Sequence, residues 1–318
     1  MKSVDVRNLL SIDDLEDNFV DILDWAIRYK NETDYHLDFS PLSGMAVGSI
    51  YEKPSTRTRV SFEVGITKLG GQPLTLSKND IQLGSSESVS DTAEALSRYL
   101  DCITYRCFGH ESVTELAKHS SVPVINALSD LHHPCQAAAD LMTIREKRKP
   151  DQGHIAWVGD GNNVLHDLML AAAMSGYDLV YATPEGMGPD QSVLERARRM
   201  GKKYGTKITG TRDPIKAVSG SGVVYTDVFI SMGEEHLSDK IKSFDGFQVN
   251  STLTSHARPD YIFMHCLPAH RGDEVTDSVI DSPNSVVFDQ AENRMWAQMS
   301  ILTFLCNHQA WMTYRDLV

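Results

Sequence analysis

Met45-Ala46-Val47-Gly48-Ser49-Ile50-Tyr51, followed after Glu52 and Lys53 by Pro54-Ser55-Thr56-Arg57-Thr58-Arg59, is the stretch whose reading decides the fold. The first run is apolar and strand-like; after the second, Val60, Val64, Ile66 and Leu69 recur at roughly helical spacing. A strand that feeds a helix through a short polar turn is the building unit of an α/β domain with a parallel sheet. The turn itself gathers hydroxyls, guanidinium groups and backbone N–H groups at a helix N-terminus, where unpaired donors and the positive dipole end favour an anion. Ser55, Thr56, Arg57 and Thr58 are therefore a candidate phosphate cradle, with Arg57 supplying a planar fork that matches phosphate oxygens. An ordinary capped helix with solvated arginines would show the same residues.

The alternation of strand and helix extends outward from this turn. Ser11 and Asp14 are spaced as a capping box and predict a helix through about Lys30, presenting Leu15, Val20, Ile22, Leu23 and Ile27. Strands are expected at 102–106 and 123–128, with helices near 90–99 and 110–118. Lys147-Arg148-Lys149-Pro150-Asp151-Gln152-Gly153 is polar, carries Pro and Gly, and marks a domain junction. Beyond it, strands are expected at 154–159, 179–183, 207–210, 223–228, 261–266 and 285–289, with helices between several of them. A chain of 318 residues exceeds the usual single core, so domains of about 150 residues are expected. The predicted fold is α/β: two doubly wound domains with central parallel sheets, residues 1–148 and 149–290.

Composition narrows the partners. With 30 basic against 43 acidic side chains the net charge is −13, which argues against nonspecific binding to nucleic acid or an anionic membrane. Any anion site must then be a local basic cluster. Asp5, Asp13, Asp14 and Glu16 interrupt what would have to be a signal-peptide core, and no apolar run reaches the roughly 18 residues of a membrane span. A cytoplasmic protein is expected. Five cysteines (Cys102, Cys107, Cys135, Cys266, Cys306) without a secretion signal read as reduced thiols.

In parallel sheets, sites gather beyond the C-terminal strand ends. Arg106 closes one predicted strand, where an arginine is either a surface charge or an anion ligand. His133-Pro134-Cys135-Gln136 opens the helix after the next, with Pro134 suited to its first turn. His133 and Gln136 share one face of that turn, and an imidazole with a carboxamide suits a small polar carbonyl compound; a capping turn with a polar face is the alternative. His132, His133, Cys135, His265, Cys266 and His270 lack the paired spacings of a structural zinc site, so no metal is expected. Val158-Gly159-Asp160-Gly161-Asn162-Asn163-Val164, with Glu185 downstream, has part of a dinucleotide fingerprint, but Val164 stands where the third glycine belongs. Asn163 at that helix start can bind a ligand carboxylate or cap the helix. Asp227 ends a strand before Ser231-Met232-Gly233, which suits an amino-acid head or a cationic amine, or merely a capped turn. His265-Cys266-Leu267-Pro268 ends another strand with a thiol beside a proline-fixed turn. Arg294, at the start of the last helical run, is a further anion ligand candidate.

Taken in order, the Ser-Thr-Arg-Thr cradle, Arg106, His133-Pro134-Cys135-Gln136, Asp227 with Ser231-Met232-Gly233, and His265-Cys266-Leu267-Pro268 resemble the ornithine carbamoyltransferases. The resemblance runs from about Leu42 to Leu305. It implies transfer of a carbamoyl group from carbamoyl phosphate to L-ornithine, without cofactor, in a cleft between the two domains. The first domain would bind carbamoyl phosphate, with a C-terminal helix at about 291–318 packing back on it, and the second ornithine. Carried over by resemblance, Ser55, Thr56, Arg57 and Thr58 hold the phosphate; Arg106 and His133, with Thr58, polarise the carbonyl; Gln82, Gln136, Cys266, Leu267 and Arg294 complete the carbamoyl phosphate site. Cys266 would orient the amine and be the assigned proton acceptor, with Asp227 assisting and the departing phosphate as the alternative acceptor. Asn163, Asp227, Ser231 and Met232 would bind ornithine. Gln82, in Lys78-Asn79-Asp80-Ile81-Gln82-Leu83-Gly84, resembles a loop that relatives insert into a neighbouring subunit, which implies a homotrimer or a multiple of trimers. Competing readings are a carbamoyltransferase for another amine such as putrescine, a nicotinamide-dependent dehydrogenase using the Gly159 turn, and a non-enzymatic phosphometabolite-binding regulator.

Overall fold

The computed structural model describes residues 7–32, 39–78, 80–83, 86–230 and 235–316. The chain divides into two compact units, Met1–Met142 with Glu292–Val318, and Thr143–Ala291.

In the first unit, β1 (Ala46–Tyr51), β2 (Gln72–Ser77), β3 (Cys102–Arg106) and β4 (Val124–Leu128) form a parallel sheet in the order β2-β1-β3-β4. Before it lies α1 (Phe19–Asn31); α2 (Thr56–Lys68), α3 (Val89–Leu96), α4 (His110–His119) and α5 (Pro134–Lys147) follow β1 to β4 in turn. Ile50, Ile103, Tyr105, Val113, Leu116 and Val124 share the core between sheet and helices. Strand order reverses between β1 and β3, and a reversal opens a crevice at the carboxyl ends of the two strands. Tyr51 pairs with Arg106 there, so the segment after β1 and the last residue of β3 meet at the crevice.

In the second unit, β5 (Ile155–Val158), β6 (Leu179–Ala182), β7 (Ile208–Thr211), β8 (Val223–Thr226) and β9 (Ile262–His265) are parallel in the order β7-β6-β5-β8-β9. The connecting helices are α6 (Asn163–Met174), α7 (Gln191–Tyr204), α8 (Pro214–Val218) and α9 (Ser251–Thr254), with α10 (Asp277–Ile280) after β9. The order reverses between β5 and β8. Thr226 seals that seam by donating its hydroxyl to the Val158 carbonyl at 2.6 Å. All of Val158, Ala182, Val224, Phe263 and Val279 are buried in one cluster.

Four local expectations are corrected. The run from Ser11 is a 3-10 turn at Ile12–Leu15, and α1 starts only at Phe19. Asp14 does accept the Ser11 N–H at 3.0 Å, as a capping box requires, but Asp13, Asp14, Glu16 and Asp17 crowd like charges at helical spacings, which opposes propagation. The 285–289 segment is not a strand: Ser285 makes an isolated bridge to Phe263, and α11 (Val287–Cys306) begins at once. Strand β2 was absent from the sequence reading, because Pro73 and a largely exposed edge position blur its pattern. The C-terminal run is two helices, α11 and α12 (His308–Asp316). Within the first unit these pack on α1: Ser300 donates to the Ile22 carbonyl at 2.9 Å, and Trp25 stacks on Tyr29 while tilting against Tyr314.

No helix among the described residues is long and apolar enough to cross a membrane.

Candidate active site

The cradle residues sit where β1 hands over to α2. Ser55 is the N-cap of α2 and accepts the Thr58 N–H at 3.2 Å. It takes one of the four N–H groups that a helix start leaves without intrahelical partners. The capped-helix reading is thus correct for Ser55, and the site reading rests on its neighbours. Thr58 is buried, and its hydroxyl accepts from Arg294 at 3.1 Å. Arg294 also donates to the Gln136 side-chain oxygen at 2.6 Å, and Gln136 donates its amide N–H to Asp140 at 2.8 Å. That last bond orients the amide, since a carboxylate only accepts. Three elements, α2, α5 and α11, are thereby pinned by one buried chain of hydrogen bonds.

Arg106 and His133 are buried beside this chain. Burial pushes the His133 imidazole well below its usual range, and Arg294 and then Arg106 push it further down. It is neutral at neutral pH and able to donate one N–H without bringing a third positive charge. Below the unfolded-state pKa of about 6.5, the unfolded chain takes up a proton that the folded chain refuses. Stability is therefore fully present above that value and falls as pH drops toward the lowered folded one. Urea unfolding at pH 7.5 and pH 5.5 should show the His133→Gln protein losing less stability on acidification than the parent; equal losses would refute the assignment.

Of the other cradle groups, Thr56 is exposed and Arg57 half-buried, while Arg59 turns to Glu63 at 3.0 Å. Gln82 is exposed in the connection between β2 and α3. Lys53 was overlooked in the sequence: it is buried, its ammonium lies 4.5 Å from the centre of the Phe108 ring, and burial, then Arg106, lower its pKa. Its position one residue before Pro54 was the available signal.

The second unit builds a separate constellation across its own strand reversal. Asp227, just past β8, accepts from the Cys266 thiol at 2.9 Å on one oxygen and from the Asn162 amide at 2.8 Å on the other. Asn162, not Asn163, caps α6, its side-chain oxygen accepting from Val164 and Leu165 N–H. Asn163 is the first helical residue and half-buried. Asn162→Ala should cost about 1 kcal/mol for the lost cap and about the same again or more for the bond to a charged acceptor. Asn163→Ala should spare the cap, and chemical denaturation of the two variants tests the difference.

Cys266 is held by its flanks. His265 accepts the Leu267 N–H on Nδ1 at 2.9 Å, which leaves the proton on Nε2 to donate to Glu274 at 3.0 Å. Both partners of that pair are fully buried. Glu274 also accepts the His270 N–H at 2.6 Å. Leu267 adopts φ 58°, a left-handed conformation that costs a branched residue roughly 1–2 kcal/mol. The His265 to Glu274 bonds hold that turn in place. Asp227, His265 and Cys266 put one donor atom each within 4.8 Å of one another, but both imidazole nitrogens are already engaged by the protein, so a metal would have to displace a buried bond. Ser231 and Met232 lie outside the described residues.

The Gly159 turn does not present an open pyrophosphate site. A Cβ on Gly161 would lie 2.3 Å from the Gly188 carbonyl carbon, and Gly161 N–H is bonded to the Met187 carbonyl at 2.9 Å. The glycine serves close packing of two loops, and the Asn162 cap occupies the helix start. Glu185, which would have to hold a ribose, is exposed and pairs with Arg212 at 2.8 Å.

Comparison with known proteins bears on the same two sets of residues. A family model described as "Aspartate/ornithine carbamoyltransferase, carbamoyl-P binding domain" matches residues 7–146, and its companion, "Asp/Orn binding domain", matches residues 151–305. The chain is 48% identical over 304 residues to the catabolic ornithine carbamoyltransferase of Thermoplasma acidophilum, covering 95% of this chain and 99% of that one. It is 53% identical over 266 residues to the anabolic ornithine carbamoyltransferase of Pyrococcus furiosus, covering 83% and 84%. The solved structure of ornithine carbamoyltransferase from Pyrococcus furiosus matches with a TM-score of 0.90 at 49% identity, over 95% of this chain and 98% of that one. With both halves matched and both strand reversals carrying the expected residues, the chain belongs to the aspartate/ornithine carbamoyltransferase family.

Proposed function

We propose that this protein transfers the carbamoyl group of carbamoyl phosphate to the side-chain amine of L-ornithine, releasing L-citrulline and phosphate. The observation that carries the reading is the buried chain from Asp140 through Gln136 and Arg294 to Thr58, beside Arg106 and a neutral His133. It is a rigid, cationic, donor-rich surface suited to a phosphate and a carbonyl in one molecule. Ser55, Thr56, Arg57 and Thr58 hold the phosphate, Gln82 supporting it from a neighbouring subunit. Arg106 and His133 donate to the carbonyl oxygen, and such preorganised donors stabilise the oxyanion that forms when the amine adds. Gln136, the Leu267 carbonyl and Arg294 orient the carbamoyl group.

Ornithine binds through Asn163, Asp227, Ser231 and Met232. Its side-chain ammonium must lose a proton before its nitrogen can attack, and a free thiol, of pKa about 8.5, accepts one only as thiolate. Asp227 and Cys266, bonded to each other at 2.9 Å, orient the amine, and Cys266 takes up that proton as a thiolate once its own has passed to Asp227. The C–N bond then forms, the nitrogen's second proton passes to the departing phosphate, and the tetrahedral intermediate collapses as the C–O bond to phosphate breaks. Nothing is oxidised or reduced, so the reaction needs no redox cofactor.

We place carbamoyl phosphate on residues 1–148 with the C-terminal helices, ornithine on residues 149–290, and the protein in the cytoplasm. A homotrimer is the proposed assembly. It is supported by an apolar face left exposed on α2 and β2, with Val60 at 52%, Val64 at 40% and Leu74 at 40% exposure. Sedimentation of the purified protein tests it, and a monomer at assay concentration would count against it. Colorimetric citrulline formation tests the activity: ornithine should be carbamoylated in strong preference to putrescine or aspartate. Preference for either competitor would overturn the substrate, and NAD(H) binding without carbamoyl phosphate binding would overturn the class.

A further inference from the structure

Away from both constellations, the second unit has a cavity of about 460 Å³ at the carboxyl ends of β6 and β7. Its lining includes Tyr181, Thr183, Arg198, Gly210, Thr211 and Arg212. A volume in the range of ordinary ligand pockets at the ends of parallel strands is a position where small molecules bind. The Tyr181 ring lies across β7 because Gly210 has no side chain: a Cβ there would sit 2.4 Å from the ring. Tyr181 is only 7% exposed, and two guanidinium groups and two hydroxyls share the lining with it.

In a protein whose net charge is −13, the cavity is lined by two guanidinium groups, Arg198 on α7 and Arg212 just past β7. Among the described residues, no carboxylate lines the cavity itself. Glu185 sits at its rim, paired with Arg212, and both are largely exposed, so an incoming anion competes only with a solvent-screened pair. A guanidinium fork with adjacent hydroxyls matches phosphate oxygens.

We propose that this cavity is a second ligand site, for a small phosphate monoester. Its phosphate meets Arg198 and Arg212 with the Thr183 and Thr211 hydroxyls. The site is independent of the carbamoyl-transfer constellations and does not rest on the reaction assigned to them.

Phenyl phosphate is the probe, titrated calorimetrically into the full-length Arg57→Ala protein, in which the cradle has lost its guanidinium fork. One site per chain is expected. In that background Arg198→Glu should weaken phenyl phosphate at least about tenfold, because it removes a direct phosphate contact. Arg199→Glu makes the same charge change on the same helix off the cavity lining and should change affinity less than about twofold at physiological salt. Both positions are exposed, so folding is retained. Absence of binding in the Arg57→Ala protein, or equal weakening by the two charge reversals, would overturn the proposal.

Discussion

The Arg294→Met protein is expected to lose about two orders of magnitude in kcat/KM for carbamoyl phosphate, the cost of misplacing a reacting group by about an ångström. Arg294 is buried and makes two side-chain bonds, at 2.6 Å to Gln136 and 3.1 Å to Thr58. Methionine fills much of the volume but donates nothing. The Gln136 oxygen and the Thr58 hydroxyl then face an apolar sulfur, and a buried group deprived of its partner costs about 1–3 kcal/mol. A second signature separates this from general damage. Arg294 is the larger of the two charges that depress His133. Removing it lets the imidazole pKa rise toward its ordinary value, so the acid limb of the pH–rate profile should move to higher pH. An unmoved acid limb with less than a tenfold loss in rate would remove Arg294 from the site.

Asp227→Asn and Cys266→Ala should each lower kcat/KM for ornithine by about two to four orders, the span of general acid–base assistance. Each leaves carbamoyl phosphate binding close to that of the parent. The two side chains share one hydrogen bond, so their effects should not add: residues acting as a unit are lost together. The double variant is expected within about tenfold of the worse single variant, and multiplicative losses would show that they act separately. Asp227→Asn carries an added cost, because Asn162 donates to the same carboxylate at 2.8 Å, and an amide in its place presents a donor to a donor in one of its two orientations.

The parts of the fold that were legible are those where local pattern and burial agree. Both parallel sheets could be read from short apolar runs bounded by Gly, Pro and polar turns, because strands covered on both faces are apolar throughout. Strand β2 could not, being a half-exposed edge with Pro73. The segment at 285–289 misled for the opposite reason: Ser285-Val286-Val287-Phe288 has strand-forming residues, but the helix that follows recruits Val287 into its first turn. At the candidate site, residue types at strand ends singled out most of the groups that the structure brings together within each unit. The side chains that orient them did not stand out. Asp140 is an unremarkable carboxylate one turn after Gln136, Glu274 follows His265 by nine residues, and Asn162 was masked by its neighbour Asn163, which holds the more obvious position at the start of α6.

What the sequence by itself determined is the inventory: α/β periodicity, a hydroxyl and guanidinium cradle at a strand-to-helix turn, and an Asp and a Cys at two further strand ends. These follow from local spacing, since a helix start and a strand end are written in consecutive residues. Only the tertiary structure decided which groups act together. Arg294 reaches Thr58 across 236 positions of sequence, and Cys266 reaches Asp227 across 39. It also decided that His133 is neutral, because that state is set by burial and by two arginines that no local pattern places beside it. Hydrogen bonds and pKa values depend on distances in space, and the chain order carries those only after the strands have paired.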